Sequence, residues 1–122
     1  MYRIAQSLDL DDIVGSEIQQ MAVGRYDVQF HFGSGTRIAV QSRATLLEGR
    51  KIIAAWDEKE NWTTLEFQRL LNDPVEGYSV PDDRTLEISF KSGLVLRLHD
   101  DSDQFESMQI YPLGDVVGQI VI

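Results

Sequence analysis

Few side chains in this sequence are of a type and spacing that can do chemistry. His31 and His99 are the only histidines, and there is no cysteine. Thiol nucleophiles, thiolate metal sites and disulfides are therefore excluded. A transition-metal site needs three or four convergent ligands. His99 is followed by Asp100, Asp101 and Asp103, which converge on it only if the chain coils tightly. The stretch from Asp100 to Glu106 has the terminal Glu of a calcium loop, but it is too short and lacks the central Gly. Gly33-Ser34-Gly35 has strand patterns on both sides, so it is a hairpin tip. A nucleophile elbow needs a strand followed by a helix, and a phosphate loop needs a following Lys-Ser/Thr. Carboxylates are abundant, but nothing in the pattern places a pair of them in a pocket. No catalytic residue, metal or cofactor is assigned, and the chain is expected not to be an enzyme.

Other residues suit binding. Trp56 and Trp62 flank Asp57-Glu58-Lys59-Glu60-Asn61. Aromatic side chains beside acids can anchor a protein partner; the alternative is that both indoles roof the core. The last stretch, residues 98–122, holds Asp100, Asp101, Asp103, Glu106 and Asp115 with no base. The partner-binding candidates are Asp100, Asp101, Asp103 and Glu106, with Trp56 and Trp62 as anchors.

The elements that must position these residues come from a pattern written twice. Val28, Phe30, Phe32, Gly35, Ile38 and Val40 recur 58 residues later as Leu86, Ile88, Phe90, Gly93, Leu96 and Leu98. Apolar alternation, a short turn ending in Gly, and renewed alternation describe a β-hairpin with one buried face. The final Gly suits the left-handed position of a three-residue loop. Upstream, Ile18–Val23 corresponds to Val75–Val80 at an offset of 57. Each copy predicts strand, turn, strand, turn, strand, within an internal repeat of residues 14–41 and 71–99.

Between the copies, Thr63-Thr64-Leu65-Glu66 has the form of a capping box, which predicts a helix closed by Asn72 and Pro74. Ser7–Gly15 predicts one short helical turn. Residues 50–56 predict a strand leaving the first hairpin, and 106–110 and 119–122 predict two closing strands. The expected fold is α+β and mostly antiparallel β: a duplicated three-stranded meander with one connecting helix, arranged as a sandwich or a curled half-barrel. At 122 residues the chain is expected to be a single domain, 1–122.

Composition narrows the partners. Twenty acids against eleven bases give a net charge of −9. Nucleic acid binding needs clustered Lys and Arg. Residues 25–51 hold five bases against two acids, too small an excess, so no nucleic-acid partner is expected. No stretch approaches the roughly 18 apolar residues of a membrane span, and Met1–Gln6 lacks the apolar run of a signal peptide. A cytoplasmic location is expected.

The segment Phe105-Glu106-Ser107-Met108-Gln109-Ile110 follows a leucine-rich hairpin and an acidic linker. With Val14-Gly15-x-x-Ile18 and Tyr26-x-Val28-x-Phe30-x-Phe32, it resembles a small bacterial domain family of unknown function. That family pairs two meanders and carries a late Phe/Tyr-Glu-Ser/Ala-Trp-like segment; Met108 departs from the usual Trp. The resemblance covers most of the chain and implies a bacterial origin and the fold class, with no activity. Acidity, size and bacterial character together lead to the expectation of a protein-binding domain, an immunity protein neutralising a basic toxin. The alternatives are a structural module that self-associates as a homodimer through a sheet edge, and a small-molecule binder using a cleft between the meanders.

Overall fold

A computed structural model of the protein describes residues 3–57, 65–102, 107–112 and 120–122. Its fold is mostly antiparallel β. The described strands are β1 (Ile18–Val23), β2 (Val28–Phe32), β3 (Arg37–Val40), β4 (Arg43–Glu48), β5 (Lys51–Asp57), β6 (Val75–Asp82), β7 (Thr85–Phe90), β8 (Leu94–His99), β9 (Met108–Tyr111) and β10 (Ile120–Val121). They form two five-stranded sheets, ordered β1-β2-β3-β9-β10 and β5-β4-β8-β7-β6.

Period-two alternation explains the central strands. Val28, Phe30 and Phe32 of β2 are buried while Gln29 and His31 are half-buried; Leu86, Ile88 and Phe90 of β7 repeat this arrangement. The inner faces of both sheets contribute to one core, with Phe30, Ile38 and Ile110 from the first sheet and Leu46, Trp56, Ile88 and Leu96 from the second. Both hairpin tips close as their sequence requires. Gly35 and Gly93 have φ of 105° and 100°, a region costly for residues with a Cβ. Ser34 donates its hydroxyl to Asp12 and Ser92 donates its own to Asp73, so each tip is tied to the segment preceding its first strand.

The chain changes sheets twice. After β3 it crosses through Gln41 and Ser42 so that β4 pairs with β8, Ala44 opposite Leu98 and Leu46 opposite Leu96. After β8 it returns so that β9 pairs with β3, Ile110 opposite Ile38. Each run of three consecutive strands is thus extended by a strand that follows the other run.

Three expectations change. The helix expected after the capping box is a 3-10 helix, Glu66–Leu70, preceded by Leu65 with no side-chain cap; Thr63 and Thr64 lie outside the described residues. Like the 3-10 turn Asp11–Ile13, it is short, and among the described residues the α part of the expected α+β fold is small beside the strands. Strand β4 was not expected. It lies between β5 and β8, and Thr45 and Leu47 are buried as well as Ala44 and Leu46, which erases the alternation. Pro81 lies within β6, where a missing amide is tolerated because β6 ends its sheet. No helix among the described residues is long and apolar enough to cross a membrane.

Candidate functional site

The tail acids separate into different environments. Asp100 is fully buried. Its Oδ1 accepts the Ser107 hydroxyl at 2.6 Å and its Oδ2 accepts Arg3 Nη1 at 2.9 Å. Its amide donates to Arg84 O at 2.8 Å, and Arg84 Nη1 donates back to Asp100 O at 3.2 Å. Asp100 is therefore a buried junction between the amino-terminal segment, the β6–β7 turn and the approach to β9. It is not the exposed rim charge that the sequence suggests. Asp101 is half exposed and held by Arg43 Nε at 2.8 Å. Asp103, Glu106 and Trp62 lie outside the described residues.

Trp56 is 1% exposed, which places it in the core rather than on a binding surface. It pairs with Ala44, which pairs in turn with inward-facing Leu98, and the small alanine leaves room for the indole. Its Nε1 is buried and has no hydrogen-bond partner among the described residues.

The histidines lie on different sheets. His99 Nε2 meets Thr45 Oγ1 at 2.9 Å. Burial, followed by the Arg43 charge, lowers its pKa to about 4; Arg97 acts in the same direction, and Asp101 and Asp82 oppose it. His31 Nε2 meets Gln29 Oε1 at 3.2 Å, and Gln29 Nε2 donates to Asp27 at 3.1 Å. Burial and then Arg37 lower the His31 pKa as well. Among the described residues, no group of three His, Asp or Glu is placed to hold a metal ion.

Two surface hollows lined by described residues each lie beside an edge strand. The first lies where the amino-terminal segment runs along β6. Ile4 N donates to Asp83 O and Gln6 Nε2 to Val80 O, both at 2.8 Å. Leu10 N donates to the Tyr78 hydroxyl at 2.9 Å, and that hydroxyl donates to Asp11 at 2.6 Å. Ile4, Leu10 and Ile13 are buried and anchor the strap. Between strap and strand is a groove of about 550 Å³ lined by Gln6, Leu8, Asp11, Val14, Tyr78 and Val80, with no basic side chain among its lining residues. Asp11 is exposed in its lining, and Asp9 and Glu76, next to the lining residues Leu8 and Gly77 in the sequence, are exposed as well. The Tyr78 pKa is raised, first by burial and then by its hydrogen bond to Asp11, with the Asp11 and Asp9 charges adding to this. The groove was not expected from the sequence, where Ser7–Gly15 predicts only a short helical turn. The isolated Tyr78 within a strand pattern was the available signal.

The second hollow, about 450 Å³, lies between β1 and the 3-10 helix Glu66–Leu70 and is lined by Gln19, Met21, Val23, Leu65, Phe67 and Leu71. It is apolar and uncharged. Leu65 is 76% exposed and Val23 54%, far more than apolar side chains of a folded core. No known protein family, curated protein or solved structure matches the chain.

Proposed function

We propose that this chain is a protein-binding domain, an immunity protein that neutralises a basic bacterial toxin in the cytoplasm, and that the toxin docks on the groove between the amino-terminal strap and β6. The observation that carries this reading is the groove itself: a mixed polar and apolar lining that includes Asp11, exposed Asp9 and Glu76 next to lining residues in the sequence, and no base among its lining residues. Such a surface draws in a cationic partner over long range and raises its association rate. The tail contributes less than its charge count implies, because Asp100 is buried and Asp101 is paired. Binding without catalysis accounts for both the groove and the net charge of −9.

The same proposal includes a duplicated origin for the scaffold. The isolated antiparallel bridge Glu17↔Pro74 joins residues that correspond at the repeat offset of 57. Contact between equivalent positions is what a two-fold relation between the halves would give.

The test is association kinetics with the product of the gene adjacent to the one encoding this chain, at two salt concentrations. The double substitution Asp9→Asn and Glu76→Gln alters exposed side chains and leaves Tyr78–Asp11 intact. It is expected to slow association about tenfold at low salt and to flatten the salt dependence. A wild-type rate with a wild-type salt slope would move the interface away from the groove. Absence of binding by the adjacent product would end the immunity reading.

A further inference from the structure

Taking the groove between the amino-terminal strap and β6 as the docking surface, a reading on which this inference rests, we propose that it receives one arginine side chain of the basic partner. The guanidinium would sit on the Asp11 carboxylate and the methylene stem along Leu8, Val14 and Val80. These four residues share the groove lining, which holds no cation of its own. A carboxylate beside apolar surface matches a side chain that carries a charged head on an aliphatic stem. Asp9 and Glu76 are not lining residues, so they act on the approach of the partner and not on its bound head.

The acceptors in the groove are held in place by bonds made elsewhere. The Tyr78 hydroxyl donates to Asp11 Oδ1 at 2.6 Å and accepts the Leu10 amide at 2.9 Å. Burial and then the bond to Asp11 raise the Tyr78 pKa, so the proton stays on the tyrosine and Asp11 keeps its charge. Among the described residues, the Asp11 carboxylate makes no other hydrogen bond, which leaves Oδ2 for a ligand. Gln6 Nε2 donates to Val80 O at 2.8 Å, which leaves the Gln6 Oε1 as a second acceptor. Gln6 and Asp11 both line the groove and both are exposed.

Lysine and arginine both join a cation to an aliphatic stem, and the acceptors separate them. The planar guanidinium carries five N–H donors in fixed directions, is weakly hydrated and stacks on aromatic rings. An ammonium is a compact, strongly hydrated point charge. Here the acceptors come from two different places, Gln6 on the strap and Asp11 at the 3-10 turn, and the Tyr78 ring lines the same groove. That arrangement suits a flat, forked head. The volume of about 550 Å³ lies in the range of sites that enclose a small ligand, so the side chain has room to enter with part of its own backbone. Arginine is also among the residues that dominate the energy of protein interfaces.

The test is a heteronuclear NMR titration of the full chain with the N-acetyl methylamides of arginine, lysine and citrulline. The arginine probe is expected to shift the Leu8, Val14 and Tyr78 amides with a dissociation constant of about 1 mM, as the small size of the probe allows. The lysine probe is expected to bind about threefold more weakly. The citrulline probe has nearly the same shape without the charge and is expected to give no saturable shift. Asp11→Asn keeps an oxygen for the Tyr78 hydroxyl and is expected to weaken the arginine probe about tenfold, with the Leu10 amide at its wild-type position. The citrulline comparison uses the wild-type chain and does not depend on how the variant folds. The proposal is overturned if about 20 mM arginine probe shifts no groove amide, if lysine or citrulline binds as tightly as arginine, or if Asp11→Asn binds the arginine probe as wild type does. The docking reading fails separately. Probe binding without association by the adjacent gene product keeps the arginine pocket and ends the immunity reading. Association that depends on Asp9 and Glu76, without probe binding, keeps the docking surface and removes the arginine.

Discussion

β6 and β1 both end a sheet and both open a run of three antiparallel strands, yet they meet solvent in different ways. β6 lies under the amino-terminal strap, which hydrogen-bonds to it from Ile4 to Leu10. Among the described residues, β1 is bridged at its start by the Leu71–Pro74 turn. Their side chains follow this difference. The covered edge carries Glu76, Gly77, Pro81 and Asp82, whereas the open edge is neutral. A covered edge gains nothing from further pairing, so it tolerates charge and a missing amide. Within one core, one edge forms the wall of a groove that carries acids and the other borders an apolar hollow.

The largest expected effect breaks the cover. Leu10 is fully buried beneath the strap, and Leu10→Ala is expected to cost about 3 kcal/mol in urea unfolding, from lost transfer energy and the cavity left behind. Leu65 lines the open hollow and is 76% exposed. Leu65→Ala is expected to stay within about 0.5 kcal/mol of wild type. Equal costs would show that the strap is not what secures the β6 side.

A smaller effect tests the end of the strap. Arg3 reaches Asp100, which also holds Ser107. Asp100→Ala would take the carboxylate from the buried Ser107 hydroxyl and remove the ion pair with Arg3, at an expected cost of about 2 kcal/mol. The adjacent Asp101→Ala removes a half-exposed pair with Arg43 and is expected to change stability by less than about 0.5 kcal/mol. Thermal unfolding of the two variants side by side checks the contrast. Matching losses would mean that the Arg3–Asp100–Ser107 junction does not fasten the strap.

The contrast between these two neighbours also marks how far the sequence can be read. Strands β2, β3, β7 and β8 were legible because each buries one face and wets the other, and the glycines at 35 and 93 fix their turns. β4 was not, because Thr45 is packed among its neighbours on the outer face as closely as Leu46 is on the inner one. Alternation tells which way a side chain points and leaves open which strand lies beside it. The crossing of β4 to β8 and of β9 to β3 therefore had no local signature. Asp100 looked like Asp101 for the same reason: its partner Arg3 lies 97 residues away. Trp56 was more accessible to reasoning, since Ala54 and Trp56 share the inward register of β5. The strap and its groove depend on Tyr78 meeting Leu10 and Asp11 across 68 and 67 residues, and no spacing rule reaches that far.

The smallest expected effect compares the two sheets through their histidines. Each histidine stands opposite an arginine, His31 facing Arg37 and His99 facing Arg43. His99 is the more deeply affected: burial, followed by the Arg43 charge, brings it from an ordinary 6.5 to about 4, while His31 is lowered by burial and then by Arg37. A histidine with a depressed folded-state pKa stays neutral in the fold while the unfolded chain takes up a proton. Between pH 6.5 and about 4 the unfolded state therefore binds more protons, and stability rises with pH through that window. The contribution is intact above 6.5 and is lost as the pH falls towards 4. His99→Gln keeps a polar group beside Thr45 and cannot titrate, so it is expected to flatten this part of the stability–pH curve. His31→Gln is expected to flatten it less. Chemical unfolding of the three proteins at several pH values within the window gives the comparison, and an unchanged slope in His99→Gln would place the acid sensitivity outside the second sheet.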